Sequence, residues 1–96
     1  MAENAWKQDS DGYFVEMIEG EKKDYSLQWD EADTINSMEM TIGSGITQVG
    51  NTEINGKVSK FVLHANGGKG VFSCQAKMTP GAGVPIEILP FRVVVK

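Results

Sequence analysis

His64 and Cys74 are the sole histidine and cysteine of the 96-residue chain, and they flank its densest glycine cluster in HANGGKGVFSCQAKM, residues 64–78. Three uses fit these residue types. A thiol beside an imidazole becomes an activated nucleophile when the two are within hydrogen-bond reach. Glycines ahead of a lysine cradle phosphate where a strand runs into a helix N-terminus, and a following Ser or Thr then holds the metal. Glycines also let a chain turn sharply. The surroundings favour the third. Gly67, Gly68 and Gly70 lead into Phe72, Cys74, Ala76 and Met78 at period two, so a strand follows them and not a helix. Lys69 precedes Gly70, where a metal-binding hydroxyl would have to stand. The stretch therefore predicts a hairpin through 66–70. His64 falls on the face opposite Phe61, and Cys74 belongs with the apolar set, a small hydrophobe without an activating neighbour.

Other polar clusters are weighed the same way. DSDG, residues 9–12, opens like a calcium loop, but Gly20 stands where the bidentate Glu would be needed, so a polar turn is expected. Asp24, Asp30, Glu31 and Asp33 could pair carboxylates for acid–base work. No basic cluster accompanies them, and they read as a solvated loop with Asp33-Thr34 as a polar cap before Ile35. Trp6 stands in an otherwise polar stretch. A large aromatic there either docks on the domain or anchors a partner. No catalytic constellation, metal site or cofactor site emerges.

The elements that must position these residues are strands. Alternation puts Tyr13, Val15 and Met17 on one face, with Phe14 and Ile18 flanking them. It likewise groups Tyr25, Leu27 and Trp29; Met38, Met40 and Ile42; and Phe61, Leu63 and Ala65. Near the end, Ile86 and Ile88 share a face, Leu89-Pro90 breaks the alternation, and Phe91, Val93 and Val95 resume it. Pro90 predicts a bulge or an edge position. Residues 25–38 also fit helical spacing, but Tyr, Trp, Ile and Thr favour the strand reading, with a helical turn at 30–33 compatible with both. Asn55-Gly56 predicts a type I′ hairpin. Several short strands with turns every ten or so residues read as an antiparallel sandwich or barrel.

Composition bounds the rest. The length suits one domain with a modest core. Nine basic against thirteen acidic side chains give a formal charge of −4, which argues against nucleic acid as the main ligand. One cysteine allows no internal disulfide, and one Cys with one His falls short of a structural zinc set. No apolar run approaches bilayer length, and MAENAWKQDSDG lacks the pattern of a secretion signal, so no membrane role is expected.

The order of motifs carries a resemblance. DYSLQWDEADTI, residues 24–35, resembles a signature of bacteriophage fibre–tail adaptors and related small virion proteins, in which an Asp-Tyr-x-x-x-Trp strand passes through an acidic turn into Asp-Thr-Ile. Asp24, Tyr25, Trp29, Asp33, Thr34 and Ile35 match it. HANGGKGVFSCQAKM resembles the family's Gly-Gly-x-x-Gly hairpin, with Gly67, Gly68 and Gly70 here one residue more closely spaced, and FRVVVK resembles its closing strand. The resemblance implies an all-β fold, an immunoglobulin-like antiparallel β-sandwich of about seven short strands over residues 12–96, preceded by an arm at 1–11. It implies a non-enzymatic virion protein, made in the host cytoplasm and present in multiple copies of a symmetric assembly. Its partners would be tail, fibre, portal or capsid proteins, with Tyr25 and Trp29 as core anchors. Docking would use sheet edges or the Trp6 arm. The alternative is a carbohydrate- or surface-binding module, for which Trp6, Tyr13 and Phe14 are the available aromatics.

Overall fold

Alternating apolar residues in short runs produce eight strands among the described residues of the computed structural model, which are 6–29, 34–81 and 85–96. They are β1 (Lys7–Asp9), β2 (Gly12–Met17), β3 (Lys22–Gln28), β4 (Ile35–Thr41), β5 (Thr47–Asn55), β6 (Val58–His64), β7 (Gly70–Pro80) and β8 (Glu87–Val95). One sheet has the order β1-β2-β8-β7-β4 and the other β3-β6-β5. Residues 25–28 and 35–38, where helical spacing competed, are strand. The expected helical turn at 30–33, with Asp30, Glu31 and Asp33, lies outside the described residues.

The core is the set that alternation selects. Val15 and Met17 of β2, Cys74, Ala76 and Met78 of β7, and Phe91, Val93 and Val95 of β8 face Tyr25 and Leu27 of β3 and Phe61 and Leu63 of β6, all buried. Each large aliphatic or aromatic chain so placed contributes about 1.5–3 kcal/mol by leaving water. Trp29 joins them, its indole N–H donating to the hydroxyl of fully buried Ser59 at 3.1 Å.

Several expectations are corrected. The pairing is not wholly antiparallel: β2 lies parallel to β8, from Tyr13 beside Phe91 to Met17 beside Val95. Parallel neighbours need a long crossover, and here nearly the whole chain intervenes. The loop at 66–70 is not a hairpin either. It leaves β6 in the smaller sheet and enters β7 in the larger one, so it crosses between layers. A hairpin needs both strands in one ladder, and period-two patterning cannot say which ladder a strand joins.

The Asn55-Gly56 hairpin exists one residue out of register. Asn55 pairs with Val58, which leaves Gly56-Lys57 as the two-residue loop. Gly56 has φ +63°, and no non-glycine residue described has positive φ. Type I′ needs two such residues, whereas glycine at the first central position fits type II′. In β8 the alternation does not break, because Leu89 continues the inward row of Phe91, Val93 and Val95 and packs against the core. Ile86 and Ile88 are therefore on the outer side, 52% and 55% exposed. Pro90 makes no bulge, since β7 and β8 stay in continuous register from Gly70–Val95 to Met78–Glu87. It is tolerated because β2 pairs only from Phe91 onward, so β8 is locally an edge at Pro90.

Candidate docking site

The chemistry-bearing residues do not converge. His64 sits in the smaller sheet between Lys22 and Thr47, while Cys74 is buried in the larger one opposite Phe91. Burial pushes the Cys74 thiol up, against a small opposing effect of the Gly43 N–H that it accepts at 3.4 Å. A thiol so placed is packing. The glycines that suggested a phosphate cradle serve close approach instead. Gly67 donates its N–H to the Gly45 carbonyl at 3.0 Å. A Cβ on Gly67 would fall 2.4 Å from the Gly45 backbone, and one on Gly45 would fall 2.1 Å from the Phe72 ring. Gly68 turns the chain with φ +96°.

The aromatic candidates separate. Of the two uses expected for Trp6, the structure shows docking on its own domain. Trp6 is buried against Phe91 (5.2 Å between ring centroids), Tyr25 (5.8 Å) and Phe61 (6.4 Å), and its indole N–H donates to the Ser26 carbonyl at 2.9 Å. It is therefore no exposed anchor. The arm drawn at 1–11 is likewise part of the sandwich from Trp6 on, because Lys7–Asp9 pair with Gly12–Phe14. The Phe14 ring is covered by the Arg92 guanidinium, 5.1 Å from its centroid. Tyr13 is half-buried beside a hollow of about 230 Å³ bordered by Asp11, Ser73, Pro90 and Arg92. The Arg92 charge there is already matched, since its guanidinium donates to Asp9 at 2.6 Å. That contact, helped by the Asp11 N–H, holds the Asp9 carboxyl below its ordinary range. The carboxylate that suggested calcium thus has a cation of its own.

The matched motif is scaffold where it is described. Tyr25 and Trp29 are core, Ile35 is buried, Asp24 is exposed, and the Thr34 carbonyl accepts the Gly81 N–H at 3.0 Å. Burial, with Glu21 and Asp24 adding to it, pushes the Tyr25 hydroxyl far above the ordinary phenol range. That hydroxyl has no hydrogen-bond partner among the described residues.

What remains is sheet edge, and the edges differ. An open edge is a template for pairing, and proteins blunt it with short strands, lysines, prolines or bulges. β1 has three residues, and none is buried. The β3 edge begins with exposed Lys22 and Lys23. β5 is interrupted between Val49 and Glu53, where Gly50 takes φ +74°. The open part of β8 carries Pro90. β4 has no such device beyond a register shift at its first residues, between Ile35 and Ser37. From Met38 to Thr41 its one charge is Glu39, which lies beside Lys77 of β7. No described strand pairs with its other side.

The layer facing β4 is thin as well. β5 buries none of its nine residues. Ile54 shares the inward register position of Ser59 and Leu27, yet it is 41% exposed. Met38, Met40 and Ile42 are only half-covered against the core. The sandwich is thus open along this side, with an apolar row beside an unpaired backbone edge. Alternation alone groups Met38 and Met40 with Ile42 on one strand face and does not show whether that face is fully covered. The signal that could have marked them was the lack of lysine or proline in SMEMTIG.

Neither a scan of protein-family models nor a search of curated proteins returns a match. Among solved structures, the chain is similar to a chimeric titin Z1Z2 functionalized with a KLER exogenous peptide from decorin. The TM-score is 0.55 at 14% identity, over 85% of this chain and 84% of that one. The solution structure of amebosin aligns at a TM-score of 0.40 and 15% identity, over 86% of this chain and 88% of that one. The order β3-β6-β5 against β8-β7-β4 reproduces the B-E-D and G-F-C layers of an immunoglobulin domain. The chain has an immunoglobulin-like β-sandwich fold.

Proposed function

We propose that the chain is a non-enzymatic structural module of a bacteriophage particle, an adaptor that docks tail or fibre components. Head–tail and capsid-decorating positions are variants of the same reading. The observation that carries the docking role is the undefended β4 edge beside its half-covered apolar row. Such an arrangement suits strand addition, in which main-chain hydrogen bonds supply affinity and alternate side chains supply selectivity. The virion assignment draws on the likeness of residues 24–35 and of the glycine stretch to small virion proteins. A scaffold role agrees with the burial of Tyr25, Trp29 and Ile35. It agrees equally with the separation of His64 from Cys74 in different sheets.

Mass spectrometry of purified particles from the host that carries this gene tests the proposal. The chain is expected in fixed stoichiometry with tail or fibre proteins, and its absence from the particles defeats the assignment. Glycan recognition is the competing reading. It needs an exposed aromatic platform, and of its three candidates Trp6 is internal and Phe14 is capped by Arg92. Binding of the isolated domain to a glycan array would reverse this preference.

A further inference from the structure

We infer that the β4 edge is a self-complementary contact at which a second copy of this chain adds its own β4 antiparallel to the first. The argument begins with what an occupant must satisfy. It has to offer an extended backbone to the open side of Ser37–Thr41. It has to complete the partial cover of Met38 and Met40 on one face of the strand and of Ile42 just past its end. It must also place no carboxylate opposite Glu39.

A second β4 meets all three conditions in one register. In a two-fold pairing centred on Met40, Met40 faces its own copy and Met38 faces the copy's Ile42, so the apolar rows cover each other. On the other face Glu39 meets the copy's Thr41, a neutral hydroxyl. Centring the pair on Glu39 instead would put two carboxylates directly opposite each other, which is destabilising. Charge and apolar pattern therefore select the same register. Because the contact is isologous it closes at two copies and does not propagate into a fibre. The two five-stranded sheets become one continuous sheet, with both three-stranded layers on the same side. The open flanks, where Ile54 is exposed, then face each other across the axis.

The other edges lack this match. Self-pairing of β3 brings together a strand that opens with Lys22 and Lys23, and β5 is bulged in its middle.

The contact is small. A five- to seven-residue edge is about 17–23 Å long, which puts it at the low end of stable interfaces and in the micromolar class. Sedimentation velocity on the full chain, over roughly 10–500 µM to suit an interface of that size, should show growth from 10.5 kDa toward twice that mass. Met40→Lys places an inward charge on the edge, a device that natural edges use, and should weaken the dimer by at least about tenfold while leaving the circular dichroism unchanged. Met40→Cys checks the register without relying on that fold-sensitive variant. Under mild oxidation it should give a disulfide-linked dimer much faster than Val71→Cys, placed at a 61%-exposed position of β7 beyond the end of its pairing with β4. A chain that stays monomeric over the whole range overturns the inference. So does a dimer indifferent to Met40→Lys in a folded protein, or cross-linking of Met40→Cys no faster than the control. The inference rests on the proposed assembly role and names another copy of this chain as the strand that the β4 edge receives within the assembly; it fails on sedimentation and the virion reading fails on particle composition, so the two are judged separately.

Discussion

Replacing Trp6 with alanine removes the one side chain outside the regular strands of the N-terminal segment that reaches both sheets. Its ring meets Tyr25 of β3, Phe61 of β6 and Phe91 of β8, and its N–H occupies the Ser26 carbonyl. Truncating a buried Phe or Trp to alanine costs about 3–5 kcal/mol through lost transfer energy and the cavity left behind. A chain of this length has roughly 5–14 kcal/mol of stability in total. For a domain of this size each kcal/mol moves Tm by about 4–8 °C, so Trp6→Ala should lower Tm by about 15–30 °C. Trp6→Phe keeps an aromatic ring but loses the hydrogen bond, which is worth about 1 kcal/mol, plus part of the buried area. A drop of about 5–15 °C is expected. Differential scanning calorimetry measures both, and Trp6→Phe leaves Trp29 as the sole fluorescence reporter of unfolding. A Trp6→Ala protein melting within about 3 °C of the parent would refute the packing argument, given the size of the cavity term. It would mean that the indole is held for a partner, the use that the sequence reading kept open.

The remaining expectations concern acid, the thiol and the glycines. Lys7, the larger influence, and Lys96 hold the Glu16 carboxyl down to about 2, and Arg92 lowers that of Asp9. Both are depressed in the folded state, so their stabilisation is complete above the ordinary carboxylate range and is lost as pH falls from about 4.5 toward 2. Urea midpoints should decline across that window, less steeply in Glu16→Gln and at high salt, where exposed pairs are screened; a flat profile contradicts the ion pairs. The Cys74 thiol, buried and shifted upward, should react with Ellman's reagent only as fast as the chain unfolds. A fast native reaction would restore the nucleophile reading. Gly67→Ala drives a methyl into the Gly45 backbone, a rigid neighbour 2.4 Å away, and should cost about 1–3 kcal/mol, seen as a lower urea midpoint.

The sequence carried nearly all of the core because each inward residue has two outward neighbours, and that is a local property. Val15, Met17, Tyr25, Leu27, Phe61, Leu63, Cys74, Ala76 and Met78 all followed from it, and all are buried. Decisions that depend on a distant partner were not legible. Whether the chain after His64 returns to β6 or crosses to the other sheet depends on β8, whose Val95 pairs with Gly70. Trp6 looked unattached because its contacts begin some twenty residues away, at Tyr25 and Ser26. Pro90 holds the edge position expected of it, and only the bulge alternative and the break in alternation fail. A proline disrupts a ladder only where its missing N–H is needed, and β2 ends its pairing one residue short of it. The docking edge stayed hidden because an unprotected strand shows itself only once its neighbours are known.

That last point changes how the half-buried methionines are understood. In a closed sandwich, residues such as Met38 and Met40 at inward positions would be covered like Met78, which is fully buried on the adjacent strand. They are only partly covered, while β5 carries polar Gln48 and Thr52 at its less exposed positions, hydrogen-bonded to each other at 2.8 Å. Replacing them with valine or isoleucine would supply the missing apolar cover from within the chain. A domain selected to stand alone would gain stability from that change. Met is the residue that best accommodates an irregular partner surface, and three apolar residues in sequence alternation with Glu39 and Thr41 make a row that another strand can match. The under-packed flank and the unguarded edge lie on the same strand, and a single added β-strand satisfies both.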